Sequence, residues 1–180
     1  MMKWRPFTYQ GIHYTLSHLH PFEWAFVLPA KGNQLERHYS FDVAFSLHTF
    51  TKGIKNRTAT DEALIYSDSR EQREFDFNRY ALSKRLPEIV HSLNTRKCYC
   101  TGHGNFFTVD IIEENGAKKR YEIYFVISRS GKRQSNLNLY IQSAYERTQN
   151  HGAKPKRKPP IGFHVIAHNT LNNRPIRTPK

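Results

Sequence analysis

The chain has 180 residues, of which 38% are hydrophobic and 13% aromatic, and it contains 28 Lys and Arg against 15 Asp and Glu. This composition predicts one packed core rich in aromatic and β-branched side chains, and the formal net charge of +13 favours a polyanionic partner. We expect neither a signal peptide nor a membrane-spanning helix, because no apolar segment follows Met1–Pro6 and none approaches eighteen residues.

The first half of the chain contains one clear strand pattern. Residues 13–28 predict one or two short strands, and Tyr39 to Phe50 alternates apolar and polar side chains as a half-buried strand does. Asp42, Ser46 and His48 fall on its polar face. A Ser-His-Asp hydrolase needs these groups in contact, whereas strand neighbours two apart are separated by about 7 Å. We therefore expect a solvated polar face rather than a triad.

A long polar connection and a helix follow this strand. Lys52 to Arg73 predicts a loop with a short ordered piece at Ala63 to Tyr66. Asp76 or Asn78 can cap the next helix, whose apolar residues share one broad face. Pro87 lies inside this pattern, so either the helix kinks or a second short helix starts there.

The best-marked region predicts three consecutive strands. They cover Asn105 to Ile112, Arg120 to Ser128 and Asn136 to Tyr145, joined by turns at Asn115-Gly116 and Ser130-Gly131. Such a series forms an antiparallel meander. The fold class we predict is α+β, with an antiparallel sheet of about five to seven strands and one main helix packed against it.

Residues 1–146 are predicted to form a single globular α+β domain, and residues 147–180 a basic C-terminal extension. The extension contains eight Lys or Arg and no Asp or Glu, and Ile161 to Ala167 has the composition of an edge strand. Such clustered cations suit a phosphate backbone, although a merely solvated, partly disordered extension has the same composition. The residues we expect to contact nucleic acid are Arg147, Lys154, Lys156, Arg157, Lys158, Lys118 and Lys119.

The two cysteines favour a reducing compartment, and we expect a cytoplasmic protein. Cys98 and Cys100 are separated by one residue, which makes them poor disulfide partners. With His103 they resemble half of a zinc site, but a second ligand pair at a suitable spacing is missing. Unliganded cysteines are the better interpretation, and no cofactor is predicted.

Metal-independent cleavage of RNA needs a group that takes the 2′-hydroxyl proton, a group that protonates the leaving 5′-oxygen and a cation for the phosphorane charge. His103 stands between two glycines just before a strand, which allows a ligand to approach closely. Strand alternation puts Ser143 and Tyr145 on one face and Gln142 and Glu146 on the other. The side chains available for the three roles are His103 or His48, Tyr145 with Ser143, and Arg120 or Arg147.

A family resemblance covers residues Arg79 to Arg147. A helix, an antiparallel meander, a histidine near the start of the sheet and a final strand closing in Ser143-Ala144-Tyr145 resemble the barnase–EndoU–colicin–RelE-like group of metal-independent ribonuclease toxins. The resemblance implies RNA cleavage by His, basic, Ser or Thr, and Tyr side chains on one sheet face, with a protein antitoxin as a partner. The run Arg96 to Phe107 is also similar to uncharacterised bacterial or prophage proteins, which implies no activity.

Two other function classes fit the same residues. A non-catalytic RNA- or DNA-binding module could stack bases on Tyr99, Phe106, Tyr124 and Tyr140 while the basic extension follows the phosphates. A phage-defence or counter-defence protein could use its charge for an acidic protein partner. A membrane partner is not expected, because the sequence has no amphipathic basic helix and no lipidation signal.

Overall fold

A computed structural model describes residues 3–54, 61–101, 106–114, 117–132, 136–147 and 159–177, with the backbone alone over residues 106–114 and 117–120. Over these residues the chain forms twelve strands and three α-helices. The strands are β1 (Phe7–Tyr9), β2 (Ile12–Tyr14), β3 (Phe22–Leu28), β4 (Arg37–Phe45), β5 (Thr51–Lys52), β6 (Ile65–Ser67), β7 (Gln72–Phe75), β8 (Lys97–Cys100), β9 (Phe106–Glu114), β10 (Ala117–Arg129), β11 (Leu137–Glu146) and β12 (Ile161–Gly162). The helices are α1 (Phe77–Ser83), α2 (Leu86–His91) and α3 (Phe163–Leu171). No helix in these ranges is long and apolar enough to cross a membrane.

Seven strands form the main sheet, in the order β12-β8-β9-β10-β11-β4-β3. Its neighbours pair antiparallel except for β11 and β4, which run parallel with Leu137 opposite Phe41 and Ile141 opposite Phe45. Two smaller sheets complete the fold, the hairpin β1-β2 and the three-stranded sheet β5-β7-β6. The hairpin turn uses Gln10 and Gly11 at φ values of 49° and 76°, the left-handed pair that a tight two-residue turn requires.

The α+β class predicted from the sequence is confirmed, and so is the meander formed by β9, β10 and β11. Two finer features differ from the prediction. The main sheet is mixed rather than purely antiparallel, because β4 runs parallel to β11, whose paired residues lie 96 positions further along the chain, as Phe41 and Leu137 do (137 − 41 = 96). Two short helices, α1 and α2, stand where one main helix was expected, and a third, α3, lies near the end of the chain. Local patterns do not report a pairing at that sequence separation.

The predicted helix is split in two at the proline. The Asp76 side chain accepts a hydrogen bond from the backbone N–H of Arg79 at 2.9 Å and so caps α1. A second helix, α2, begins at Leu86 with Pro87 in its first turn, where a missing N–H costs little. Of the two outcomes foreseen at Pro87, the chain therefore adopts the second helix.

The end of the chain contributes to the core. Ile161 of β12 pairs with Cys98 of β8 at the edge of the main sheet. The predicted strand is wrong from Phe163 onward, where α3 begins, because Phe163, Ile166 and Ala167 are buried at helical spacing. The Phe163 ring lies 5.5 to 5.8 Å from the ring centroids of Trp24, Phe41 and Phe125.

The polar face predicted for residues 39–50 is largely buried at Asp42 and Ser46. Strand β4 ends at Phe45, and Leu47–Thr49 forms a 3-10 helix instead of continuing the strand. Asp42 is only 4% exposed, and its carboxylate lies 3.1 Å from the Lys132 ammonium. The alternation of apolar and polar residues predicts a strand with one buried and one solvent-exposed face, but neighbouring segments of the chain pack against both faces.

Candidate active site

A pocket of about 650 Å³ lies between the β10-β11 ribbon and two segments that cross its end, the 3-10 helix at residues 47–49 and the turn before β7. It is lined by Ser46, His48, Arg70, Glu71, Tyr124, Tyr140, Gln142, Ser143 and Tyr145. Three of these are predicted catalytic residues, and His48 is distant in the sequence from Ser143 and Tyr145. The fold brings them to one cavity.

A β-bulge shapes the floor of this pocket. Tyr124 is opposite Ser143, but the next residue of β10, Phe125, is opposite Ile141, so Gln142 is the extra residue of β11. The bulge interrupts the two-residue alternation, and Gln142 and Ser143 both line the cavity. The prediction that these two side chains lie on opposite faces was therefore wrong.

His48 and Glu71 form a hydrogen-bonded pair at the rim. The Ser46 hydroxyl accepts from the backbone N–H of His48 at 3.2 Å and caps the short helix that carries the imidazole. Nε2 of His48 lies 2.8 Å from Oε1 of Glu71, and the two side chains are 36% and 38% exposed. When Glu71 accepts the Nε2 proton, Nδ1 is the nitrogen of the neutral ring that can take up a proton.

The turn that carries Glu71 is fixed by one carboxylate. Asp68 accepts from the backbone N–H groups of Arg70 and Glu71 at 2.8 and 2.9 Å, an Asx-type arrangement. Partial burial alone would raise the pKa of Glu71, but the hydrogen bond from His48 and the charges of His48 and Arg73 outweigh it and hold that pKa below its ordinary value. Glu71 is thus an anion beside the imidazole.

Arg70 supplies the positive charge of the pocket. Its guanidinium contacts Asp68 at 3.3 Å and is otherwise mostly exposed. Hydrogen bonding to Tyr140 and to Asp68 raises the pKa of Arg70. The side chain therefore stays cationic near neutral pH, and it lines the pocket together with Tyr140.

A hydrogen-bond chain runs from the pocket into the sheet. The Tyr145 hydroxyl donates to the Tyr124 hydroxyl at 3.1 Å, Tyr124 donates to Glu122 at 2.8 Å, and Arg147 donates to the same carboxylate at 2.8 Å. Burial, then the hydrogen bonds with Tyr145 and Glu122, raise the pKa of Tyr124. The two tyrosine rings stack at 5.6 Å with 17° between their planes. Tyr145 is therefore held in one orientation.

Arg79 of α1 connects the two sides of the pocket. Its guanidinium donates to the backbone carbonyls of His48 at 3.1 Å and Thr51 at 2.8 Å, and it lies 5.1 Å from the centroid of the Tyr145 ring. Burial lowers the pKa of Arg79, although the nearby Asp76 opposes the effect. This cation fixes the histidine segment relative to Tyr145.

The structure describes the side chain of only one of the remaining predicted site residues, Arg147. Arg147 is present, but its side chain is 14% exposed and engaged with Glu122 instead of facing solvent. Lys118, Lys119 and Arg120 fall on β10, with their side chains outside the described residues. The residues that lie wholly outside them are His103, Lys154, Lys156, Arg157 and Lys158.

Sequence reasoning missed Glu71, Arg70 and Arg79 as site residues. The only local signal for the first two was the Asp68-Ser69-Arg70 turn, and nothing in the sequence connects it to His48, 23 residues away. Tyr124 and Tyr140, predicted as stacking residues, do line the pocket. Of the two cysteines, Cys98 is buried and Cys100 half-buried.

The molecule is thus an α+β protein with a polar, aromatic-lined pocket on one face of a mixed sheet. The chain belongs to the YjaZ family, whose model matches residues 6–171. It is 30% identical over 181 residues to Protein YjaZ of Escherichia coli (strain K12), and the alignment covers 98% of this chain and 96% of that protein. No solved structure matches the chain.

Proposed function

We propose that this protein binds RNA in the pocket between His48 and Tyr145 and cleaves it without a metal ion. The observation that supports the proposal most is the hydrogen-bonded His48–Glu71 pair, 2.8 Å apart, in the same cavity as Arg70 and Tyr145. Transesterification of RNA requires a base, an acid and a cation, and this cavity offers the His48 imidazole, the Tyr145 hydroxyl and the Arg70 guanidinium for these roles. The net charge of +13 favours a phosphate-bearing substrate.

Each group has one role in the proposed reaction. Nδ1 of His48 takes the proton of the 2′-hydroxyl, and the Glu71 carboxylate stabilises the imidazolium that results. The 2′-oxygen forms its bond to phosphorus as the bond to the 5′-oxygen breaks. Arg70 neutralises the charge that develops on the phosphorane oxygens, with its planar fork suited to two of them.

Tyr145 protonates the leaving 5′-oxygen, after its hydroxyl hydrogen rotates from Tyr124, to which it donates in the free protein, toward the substrate. The charge that it gains is offset by the Arg79 guanidinium, 5.1 Å from the centroid of the ring. The protons then balance, since His48 has gained one from the 2′-hydroxyl and Tyr145 has lost one to the 5′-oxygen. Exchange with water restores both groups for the next turnover.

Cleavage of a single-stranded RNA in EDTA tests this proposal. His48→Ala should lower the cleavage rate by about 100-fold or more, because it removes the base, and Glu71→Gln should lower it less. His38→Ala is a matched control, because Nε2 of His38 also lies 2.8 Å from a glutamate, Glu36, but on an exposed part of the chain outside the pocket. Equal rates for the wild type, His48→Ala and His38→Ala would refute catalysis by this pocket.

A non-catalytic RNA-binding role is the second candidate, favoured by the aromatic lining of the same cavity. Tyr124 and Tyr145 stack on each other, and Tyr140 lies beside Arg70. Base stacking contributes about 1–3 kcal/mol for each base, so Tyr140→Ala should weaken binding of a non-cleavable 2′-O-methyl RNA about tenfold. If the wild type binds this RNA, Tyr140→Ala binds it about tenfold more weakly and neither protein cleaves RNA, the second role is the correct one.

The basic extension binds phosphates in either role. Replacement of Lys154, Lys156, Arg157 and Lys158 by Gln should make the fall of RNA affinity with salt shallower, by about 0.7 in logarithmic slope for each phosphate that is no longer neutralised. An unchanged slope would remove these residues from the interface. We also propose a cytoplasmic location, since Cys98 and Cys100 are separated by a single residue and are therefore poor disulfide partners.

A further inference from the structure

A second cavity, of about 630 Å³, lies where the end of α3 meets β10. Its polar lining comes from both elements and from the turn that follows the helix. The residues that matter are Arg129 on β10, Asn169 and Thr170 in α3, and Asn173 and Arg174 in the turn.

This cavity is separate from the proposed active site. On β10, Ile123, Phe125 and Ile127 are buried, and the Phe125 ring packs on Phe163 of α3. Arg129 shares their two-residue period, so it lies on the α3 face, whereas Tyr124 lies on the opposite face and lines the first pocket. Five residues along the strand separate Tyr124 from Arg129, about 17 Å.

The cavity brings two positive charges to one place without a carboxylate. No residue of its lining is acidic, and none of the ion pairs among the described residues involves Arg129 or Arg174. A cation near a helix C-terminus is favourable by itself, which accounts for Arg174. It does not account for Arg129, which enters from the strand. Both arginines are exposed, so solvent and salt screen their mutual repulsion, and both remain accessible to an anion in the cavity.

The last carbonyl groups of α3, beside this cavity, accept hydrogen bonds within the turn that follows the helix. At the end of α3 the carbonyls of His168, Asn169 and Thr170 already accept backbone N–H groups, at 3.1, 2.8 and 3.2 Å. The turn is completed by Asn173 in a left-handed conformation, with φ of 53°. Satisfied carbonyls repel an anion less than free ones, and the fixed turn holds Arg174 in place.

We propose that this cavity binds a phosphate group. Arg129 and Arg174 are its principal ligands, because the planar guanidinium donates two parallel hydrogen bonds to a phosphate. The Thr170 hydroxyl and the Asn173 side-chain amide supply further donors. The phosphate group belongs either to a free small anion or to the backbone of an RNA, and the chemistry of recognition is the same.

Titration calorimetry of the full chain at about 0.15 M salt tests this proposal with two probes, inorganic phosphate and a ten-nucleotide 2′-O-methyl RNA. Arg129→Ala and Arg174→Ala should each raise the dissociation constant at least tenfold for one or both probes. The control is Arg85→Ala, an exposed arginine outside both cavities that removes the same charge. It should change the constant less than twofold.

The two probes identify the source of the phosphate. An effect with inorganic phosphate indicates a free anion, and an effect confined to the RNA indicates its backbone. If Arg129→Ala and Arg174→Ala affect neither probe more than Arg85→Ala does, the site does not exist. Arg129→Lys keeps the positive charge but loses the two parallel N–H donors of the guanidinium. Its dissociation constant should therefore lie between those of the wild type and Arg129→Ala. Inorganic phosphate binding is independent of RNA cleavage, so this test and that of the catalytic pocket fail separately.

Discussion

Replacement of Arg147 by Met should strongly destabilise the fold, although the sequence suggests a residue that contacts nucleic acid. Glu122 is only 1% exposed, and the Arg147 guanidinium donates to it at 2.8 Å. Removing one partner of a buried ion pair leaves a desolvated charge and typically costs about 3–5 kcal/mol. Tyr124 still donates to the same carboxylate, so we expect a loss near the lower end, about 3 kcal/mol.

Urea unfolding followed by circular dichroism measures this loss directly. For a chain of this length, about 3 kcal/mol corresponds to a fall in melting temperature of about 6–12 °C. The double variant Glu122→Gln/Arg147→Met removes the charge together with its partner and should recover most of the stability. A loss below about 1 kcal/mol in the single variant, or no recovery in the double variant, would contradict the assignment of Arg147 to the buried pair.

Three further predictions concern other parts of the fold. Phe163→Ala should cost about 4 kcal/mol of unfolding free energy, since its ring packs on Trp24, Phe41 and Phe125, and a loss under 1 kcal/mol would separate α3 from the core. Burial, aided by Lys84 and His20, lowers the pKa of His18 from 6.5 to about 4. The neutral ring is therefore favoured in the fold, so stability should fall by about 2 kcal/mol, after discounting for solvent screening, as pH drops from about 6.5 to about 4. His18→Gln should flatten this part of the curve, and an unchanged curve would refute it. Tyr145→Phe should lower the rate of RNA cleavage at least tenfold. The unfolding free energy should change by less than about 1.5 kcal/mol, because the variant keeps the stacked ring and loses the hydrogen bond to Tyr124. Full cleavage activity would remove the tyrosine from the reaction.

Local patterns were sufficient for the elements that depend on neighbours in the chain. The alternation and turn residues of 105–145 predicted the β9-β10-β11 meander, and the cap of α1 is Asp76, one of the two residues predicted for it. Pro87 marked the break between α1 and α2 because it has no N–H to donate within a helix. Each of these features follows from interactions spanning a few residues.

The features that form the candidate site depend on distant contacts. His48 meets Glu71 only because the 3-10 helix ends β4 early and the Asp68 turn presents the carboxylate to it. Gln142 enters the pocket through a bulge, which strand alternation does not reveal. The segment that forms α3 has the β-branched composition of a strand, and only tertiary packing imposes its burial at helical spacing.

The most direct test of RNA cleavage by the His48–Tyr145 pocket uses a chimeric oligonucleotide. It has one ribonucleotide in an otherwise 2′-deoxy strand, incubated with the protein in EDTA. The proposed reaction predicts a single cut after the ribonucleotide, with a 2′,3′-cyclic phosphate on the upstream product, and loss of that product with His48→Ala. Cuts at deoxynucleotides, or the same product from His48→Ala, would contradict the proposed mechanism.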